Sequence, residues 1–543
     1  MKENRYLFLY FFIFAIVGYC AALWISLDHL EGIPHVQDEI VYDYQAKLIS
    51  QGKLWEPEAL PRAAHSFEFV INSGGRRFGI FPNGWPAVLA IGKLAFAPWA
   101  VNPFLHGITV ILAALLAFEI GGRKAAYITA PIAALNPALV IMAASRMSHT
   151  LSALLALVAL RCAVGKQRRA EIMGFGCSIG YLFLTRPMDG LIVFVVLSCL
   201  LLYRYRRDVF KWLPALLPIV ICLLLLGVQN RIFTGRWTQF VQDYYFATES
   251  PPYPGDSFRY SDTCNKLGFG KDRGCFPTMG TYGHTPQKAW EATKINMRTA
   301  LRLWFGVPLL SLVALSGVFF FRRKAFSAVA VGLLFLTALL YSLYWYRGTC
   351  FGARFYHIAA PPFVILTAFG ISGACDLFFK NKPHVRRLAA PIAATMFLVP
   401  CFRTFVTTAT ELEGYWGVDH RLARLEKEWP VNESPVFMVA YEYPLVTQIH
   451  SINTVGEAFV APFWLRRGMW FPRENSRFTY VEYQAELVEE IITEYPNRQY
   501  YLLVLGATRR DVSAIPIGSL PERRISPKKD LPLPTFPALL KKQ

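Results

Sequence analysis

The chain has 543 residues, of which 54% are hydrophobic, 15% aromatic and only 17% charged. A soluble domain ordinarily carries about 25% charged residues, so this balance, with its long apolar runs, excludes an ordinary soluble protein and points to a polytopic membrane protein. The formal net charge of +19 is then tested first against the distribution of Lys and Arg across a bilayer, not against nucleic acid.

The N-terminus, MKENRYLFLYFFIFAIVGYCAALWISL, has the charge layout of a signal sequence, but its apolar run is too long and lacks an A-x-A-like site. It reads as an uncleaved anchor and first span. Further candidate spans lie near 103–120, 125–144, 150–165, 172–186, 188–203, 212–229, 300–321, 326–345, 356–378 and 388–407, about eleven including the first at 6–27. The shorter Trp85–Trp99 segment contains Lys93 and reads as an interfacial helix. With a cytoplasmic N-terminus, the cytoplasmic ends collect Lys2 and Arg5, Arg123 and Lys124, Lys166, Arg168 and Arg169, Arg204 to Lys211, Arg322 to Lys324, and Lys380 to Arg387. The short outer loops hold only Arg146, Arg186, Arg347 and Arg354, an asymmetry that supports orientation and span count together.

Three polar regions then fall on the outer face: a first loop at 28–102, a middle loop at 230–299 and a tail from 410 to 543. In the tail, VFMVA (436–440) and YYLLVLG (500–506) read as buried strands and VEYQAELVEEIITEY (481–495) as an amphipathic helix. The expected division is a membrane domain over 1–409 and a small extracytoplasmic α/β domain over 410–543. Cys264 and Cys275 share the middle loop and are the candidate disulfide if that loop lies outside the cytoplasm.

The first loop opens with HVQDEIVYDYQAKLISQGKLW. Pro34 suits a first helical turn, and Ile40, Tyr44 and Leu48 make an apolar stripe. Asp38 and Tyr42 share one side, Glu39 and Asp43 the neighbouring one. Acidic residues in a first turn also suit the helix dipole, which is the structural alternative to a catalytic role. Arg146 in ASRMSHT, Arg186 in FLTRPMDG and Arg354 in CFGARFYHIAAPP each lie at a span end, with Arg76 and Arg77 in GGRRFGIFPNGWP. One such cation can snorkel to the interface; several at membrane depth line cavities or pair with each other. A carboxylate beside several arginines suits a phosphate-bearing, lipid-linked substrate. His149 reads either as a hydrogen-bonded structural residue or as a ligand or proton carrier. No Gly-rich nucleotide loop, HExxH motif or metal-ligand cluster is present in the sequence.

One span, a loop starting Asp-Glu, an interfacial helix and then many spans resemble the GT-C class of integral-membrane glycosyltransferases, within it the bacterial group related to protein O-mannosyltransferases and lipid A aminoarabinose transferases. The matching stretches are DEIVYDYQAKLISQGKLW, FPNGWPAVLAIGKL, LNPALVIMAASRMSHTLSALLAL, FLTRPMDGLIVF, NKLGFGKDRGCFPTMGTYGHTPQKA and FGARFYHIAAPP, extending over roughly residues 5–375. Their order carries the resemblance, and the tail lies outside it. The resemblance implies a mainly α, GT-C fold in a bacterial inner membrane. It implies inverting transfer of a sugar from a polyprenyl-phosphate donor to an acceptor outside the cytoplasm, with membrane lipids and an unspecified acceptor as partners and no nucleic acid. Asp38, with Glu39 beside it, takes the place of the base; Arg146, Arg186 and Arg354 are the candidate phosphate ligands. Many relatives have a lysine where this chain has Gly79–Pro82, for which Arg76, Arg77 or Lys93 are the substitutes on offer. Many also have an acidic residue in place of His149, so no cofactor or metal is assigned. A transporter or flippase of lipid-linked sugar is the alternative, but no internal repeat supports it.

Overall fold

The computed structural model describes residues 2–65, 69–206, 208–248, 263–274, 283–320, 324–413, 415, 425, 427–439, 479–482, 487–505 and 512–517. Among these, seven helices are long and apolar enough to cross a membrane, or eight if one bent pair counts as a single span. They are Arg5–His29, Pro98–Ala134, Pro187–Arg204, Val209–Thr234, Ala325–Ser342, Arg354–Phe378 and Leu388–Glu411. The remaining expected spans lie on shorter or broken helices.

The first helix, α1 (Lys2–Trp24), ends in a π-helical turn over Ile25–His29. After α2 (Gln37–Ser50), β1 (Glu56–Pro57), β2 (Val70–Ser73) and β3 (Arg76–Gly79) form an antiparallel sheet of order β1-β3-β2. The sheet packs on α2 closely enough that a Cβ on Gly79 would lie 2.7 Å from Gln45 and Val41. Then comes α3 (Gly84–Leu94), the expected interfacial helix, with Trp85 buried and Ile91 and Leu94 exposed.

α4 (Val101–Ala134) is divided at Gly122, whose φ of 82° is non-helical. The expected 125–144 span is therefore the second limb of α4 followed, across Leu135–Asn136, by α5 (Pro137–Ala144). Pro137 is the residue that a continuing helix could not accommodate, and Asn136 caps the new one by accepting from Leu139 N. α6 (His149–Val164), α7 (Arg169–Thr185), α8 (Pro187–Arg204), α9 (Leu216–Thr234) and α10 (Val241–Thr248) follow.

The apolar run expected as one span over 300–321 is not straight. α11 (Pro286–Phe305) meets the next apolar segment, Pro308–Phe319, at 78°. Gly306 at φ 76° and Pro308 supply the break. The bend is held from the side, since Thr404 Oγ1 donates to Gly306 O at 2.8 Å. α12 (Ser311–Phe320), α13 (Lys324–Ser342), α14 (Ala360–Phe378) and α15 (Pro383–Glu411) complete the helical part.

Beyond it, β4 (Pro435–Val439), β5 (Thr479–Glu482), β6 (Gln499–Leu505) and β7 (Val512–Pro516) form a sheet of order β5-β4-β6-β7, parallel except for the β6–β7 pair. Both expected strands are present. The expected helix over 481–495 is corrected: Val481 is extended and pairs with Met438, and the helix runs only over Val488–Glu494. Val436, Met438, Val481 and Ile491 are fully buried together, which is why 481 joins the sheet. Cys264 is disulfide-bonded; Cys275, its expected partner, lies outside the described residues.

Candidate active site

α2 begins at Gln37, three residues after Pro34, which is therefore outside its first turn. Glu39 closes its N-terminus: Oε2 accepts from the backbone N–H of His35 at 2.8 Å and of Val36 at 3.1 Å. This is half of a capping box, since Val36 has no side-chain acceptor to return the bond. The apolar stripe of Ile40, Tyr44 and Leu48 is buried, which points the acidic side of α2 at the loops that join the spans.

Those loops are held rigidly. Asn102 Nδ2 donates to Ser145 O at 2.7 Å and to Met147 O at 2.8 Å, and Trp85 Nε1 donates to Arg146 O at 2.8 Å. The fixed turn presents Arg146, whose N–H donates to Glu39 Oε1 at 2.6 Å. Its guanidinium reaches Asp43 Oδ1 and Gly32 O, both at 2.5 Å. Lys93 approaches the other Asp43 oxygen at 2.5 Å. Arg146 and Lys93 are thus joined through Asp43, a carboxylate that sequence reading noted and left without a role.

On the other side of α2, Asp38 Oδ2 accepts from Arg354 at 2.5 Å. Tyr42 shares that side, as its spacing predicts, and lies 3.3 Å from Ser148 Oγ. Arg186, in extended backbone between α7 and α8, donates to Asp189 Oδ2 at 2.7 Å and to Tyr341 Oη at 3.1 Å, and it reaches Ser148 Oγ at 3.5 Å. Tyr341 donates in turn to Asp189 Oδ1 at 2.8 Å. One ring links the two arginines: Phe355 lies 5.3 Å from the Arg354 guanidinium and 5.9 Å from that of Arg186, and stacks on Tyr341 at 4.3 Å. Gly348, at φ 67°, makes room for that ring, since a Cβ there would lie 2.2 Å from it.

Asp38, Glu39, Tyr42, Arg146, Arg186, Arg354 and Lys93 are therefore brought together from five separate segments. Arg77 is not among them. It is buried in β3 against Glu56, 3.4 Å away, and the ring of Tyr44. Arg76 is exposed and lies over Trp55. Sequence reading missed Asp189, Tyr341, Ser148 and Phe355; Asp189, three residues after Arg186 in a first helical turn, was the one with a local signal.

The four carboxylates differ in access. Asp38 is 18% exposed, against 9% for Asp43 and 1% for Asp189 and Glu39. Burial pushes the Glu39 carboxyl up to about 7, although three backbone donors and Arg146 favour its charged form. Tyr42 and Tyr344 are both pushed up to about 12, first by burial, so each keeps its proton at neutral pH. His149 is buried and neither ring nitrogen has a hydrogen-bond partner among the described residues. It lies within electrostatic reach of Arg186, Arg354 and His357. Among the described residues, no group of three or more His, Cys, Asp or Glu side chains is placed to hold a metal ion.

No protein-family model matches the chain, and no curated protein matches it in sequence. Among solved structures it is similar to ArnT from Cupriavidus metallidurans in the apo state, with a TM-score of 0.52 and 11% identity over 92% of this chain and 93% of that one. It is likewise similar to the same protein bound to undecaprenyl phosphate, with a TM-score of 0.53 and 11% identity over 92% and 96% of the two chains. At such identity the likeness is one of fold, and over nearly the whole length of both chains that fold is the one that the resemblance to GT-C enzymes predicts.

Proposed function

We propose that the protein is an inverting glycosyltransferase that moves a sugar from a polyprenyl-phosphate carrier to an acceptor on the outer face of the membrane. The observation that carries this reading is the reachable carboxylate of Asp38, ion-paired with Arg354 and flanked by Arg186, while the other acidic groups nearby are buried. The fold match adds support, because one of the similar ArnT structures is bound to undecaprenyl phosphate. The clustering of Lys and Arg at the opposite span ends supports an orientation with the cluster outside the cytoplasm.

The roles follow from charge and access. Asp38 takes the proton of the acceptor hydroxyl as its oxygen attacks the anomeric carbon. The bond from that carbon to the phosphate oxygen breaks, and the charge left on the carrier phosphate is held by Arg354 and Arg186. With donor absent, Arg354 pairs with Asp38; a bound phosphate competes for that guanidinium and frees the carboxylate for the acceptor. Tyr42 and Tyr344 contribute hydroxyls that stay protonated. Glu39 acts through the backbone it holds, as a positioning residue, and Arg146 with Lys93 anchors α2 through Asp43. Tyr415 of the tail reaches the segments that carry Asp38 and Arg354, which supports a part for the tail in acceptor selection.

The test is transfer of radiolabelled sugar from a panel of polyprenyl-phosphate sugars to envelope acceptors, with wild type and Asp38→Asn compared in membranes. Loss of a base supports a fall of about 100-fold or more, with thermal stability retained. Tight donor binding by both proteins and transfer by neither would replace an enzyme with a carrier of lipid-linked sugar.

A further inference from the structure

A groove of about 890 Å³ opens at the end of the bundle opposite the Asp38 cluster, between α1, α4, α14 and α15. The topology fixes which end this is. α1 runs from the groove toward the residues that meet Arg146, and the span Arg354–Phe378, which includes α14, runs from Arg354 down past Asp376. The groove's deep wall is aromatic and apolar: Tyr10 packs on Phe14 at 4.8 Å and on Tyr127 at 4.9 Å, with Leu135 and Leu398 beyond. Its outer edge on α15 continues into Ile392, Met396 and Val399, all more than half exposed. Those side chains make a surface that suits hydrocarbon and nothing polar.

The mouth is different. Arg123 and Lys124 stand there, directly after the break at Gly122, with Asp376 as the carboxylate of the lining. Lys124 donates to Asp376 at 2.6 Å. The three groups together carry one net positive charge. An apolar trough the length of several helical turns, ending in a cationic mouth at one end of a membrane bundle, matches an amphiphile with apolar chains and a singly anionic head.

We infer that this groove is a binding site for an anionic glycerophospholipid, its phosphodiester at Arg123 and Lys124 and its acyl chains along Tyr10, Phe14 and Leu398. The inference is independent of the sugar-transfer reading, because the groove shares no residue with the Asp38 cluster. It predicts a lipid that stays with the protein when the bulk lipid is removed.

Native mass spectrometry of the full chain, extracted from nanodiscs containing phosphatidylcholine with and without phosphatidylglycerol, reads this out. The expected result is one phosphatidylglycerol retained per protein and no phosphatidylcholine retained under the same conditions. Arg123→Gln lowers retention by about fivefold, the effect of one cation near a headgroup. Thr395→Trp fills the groove from an exposed position on its lining and abolishes retention while leaving both cations in place; it also covers the case in which loss of charge at the mouth disturbs folding. Equal retention of the two lipids, or full retention in Thr395→Trp, overturns the inference. Displacement of phosphatidylglycerol by an equal or smaller amount of undecaprenyl phosphate would make the occupant the carrier lipid instead.

Discussion

Glu39 and His149 are both buried at the candidate site, and their chemistry pulls in opposite directions. Glu39 has three backbone donors and still has its proton affinity raised to about 7 from 4.5. A carboxyl whose folded value lies above its unfolded one stabilises the fold only while protonated, so that contribution is present below about 4.5 and is lost as pH rises through about 7. The slope is at most ~1.4 kcal/mol per pH unit. Thermal unfolding of wild type and Glu39→Gln between pH 4.5 and 7.5 isolates this group: the wild-type melting temperature falls relative to the variant's as pH rises, and a constant difference would show that Glu39 does not titrate. Among the described residues His149 has no hydrogen-bond partner for either nitrogen, which costs about 1–3 kcal/mol for a buried polar group. His149→Phe is therefore expected to melt no lower than wild type, yet to lose sugar transfer about tenfold if the ring nitrogen is reserved for substrate. A variant that transfers at the wild-type rate returns His149 to a packing role. Sequence alone left the two readings of His149 open because partners across the bundle cannot be seen from spacing. The paired sides of α2 were legible, since Asp38 with Tyr42 and Glu39 with Asp43 follow from helical periodicity. The ring of Phe355 that joins Arg186 to Arg354 was not, because Gly348, which admits it, sits in a loop with no periodicity.

Between elements, contact is made by small residues. A Cβ on Gly317 of α12 would lie 2.1 Å from Leu366 O, and a Cβ on Gly370 of α14 would lie 1.9 Å from Val313 O. The pairs are reciprocal: 313 and 317 on one helix, 366 and 370 on the other, each four apart and so on one face. Backbones can approach this closely only where side chains are absent, which is the usual way helices associate in lipid. Gly370→Ala must push the helices apart or strain the backbone, at a cost of about 3 kcal/mol, the upper end for overpacking. Its unfolding midpoint in mixed detergent micelles should drop accordingly; an unchanged midpoint would mean the two helices are not in contact. α14 starts beside Arg354, so the same variant is expected to weaken donor binding as well. Apolar length could be read along the chain, but a break could be placed only where charge interrupts it. The break at Gly122 was legible, because Arg123 and Lys124 separate the expected spans 103–120 and 125–144, but Gly306 lies inside a run expected as one span, and only the geometry shows that it turns the chain.

At the scale of the molecule, the part after α15 returns to the loop that carries Asp38. Tyr415 O lies 2.9 Å from His35 Nδ1, just before α2, and Tyr415 Oη accepts from the backbone of Phe351, three residues from Arg354. Farther along, Tyr495 Oη lies 3.0 Å from His65 Nε2. These contacts tie residues of the tail to both segments that supply the Asp38–Arg354 pair, a relation invisible to composition because the sequence stretches that carry the family resemblance stop near residue 375. They also make the tie sensitive to pH. Burial, with the nearby charge of Arg77, lowers the His65 value to about 3 from 6.5. A histidine held neutral in the fold stabilises it fully above its unfolded value, and that contribution is lost as pH falls from about 6.5 toward 3. This is the reverse of the Glu39 window, so the two can be separated by where the protein gives way. Limited proteolysis at pH 5 and pH 8 is expected to cleave the tail faster at the lower pH while the helical part stays intact. His65→Phe, which cannot charge, should remove most of that difference. If the tail governs acceptor choice, the acid-loosened wild type should still use donor but lose preference among acceptors, and His65→Phe should keep that preference at pH 5. Donor use and acceptor preference falling together would instead mean that the tail supports the whole site, through Tyr415 and its hold on the start of α2.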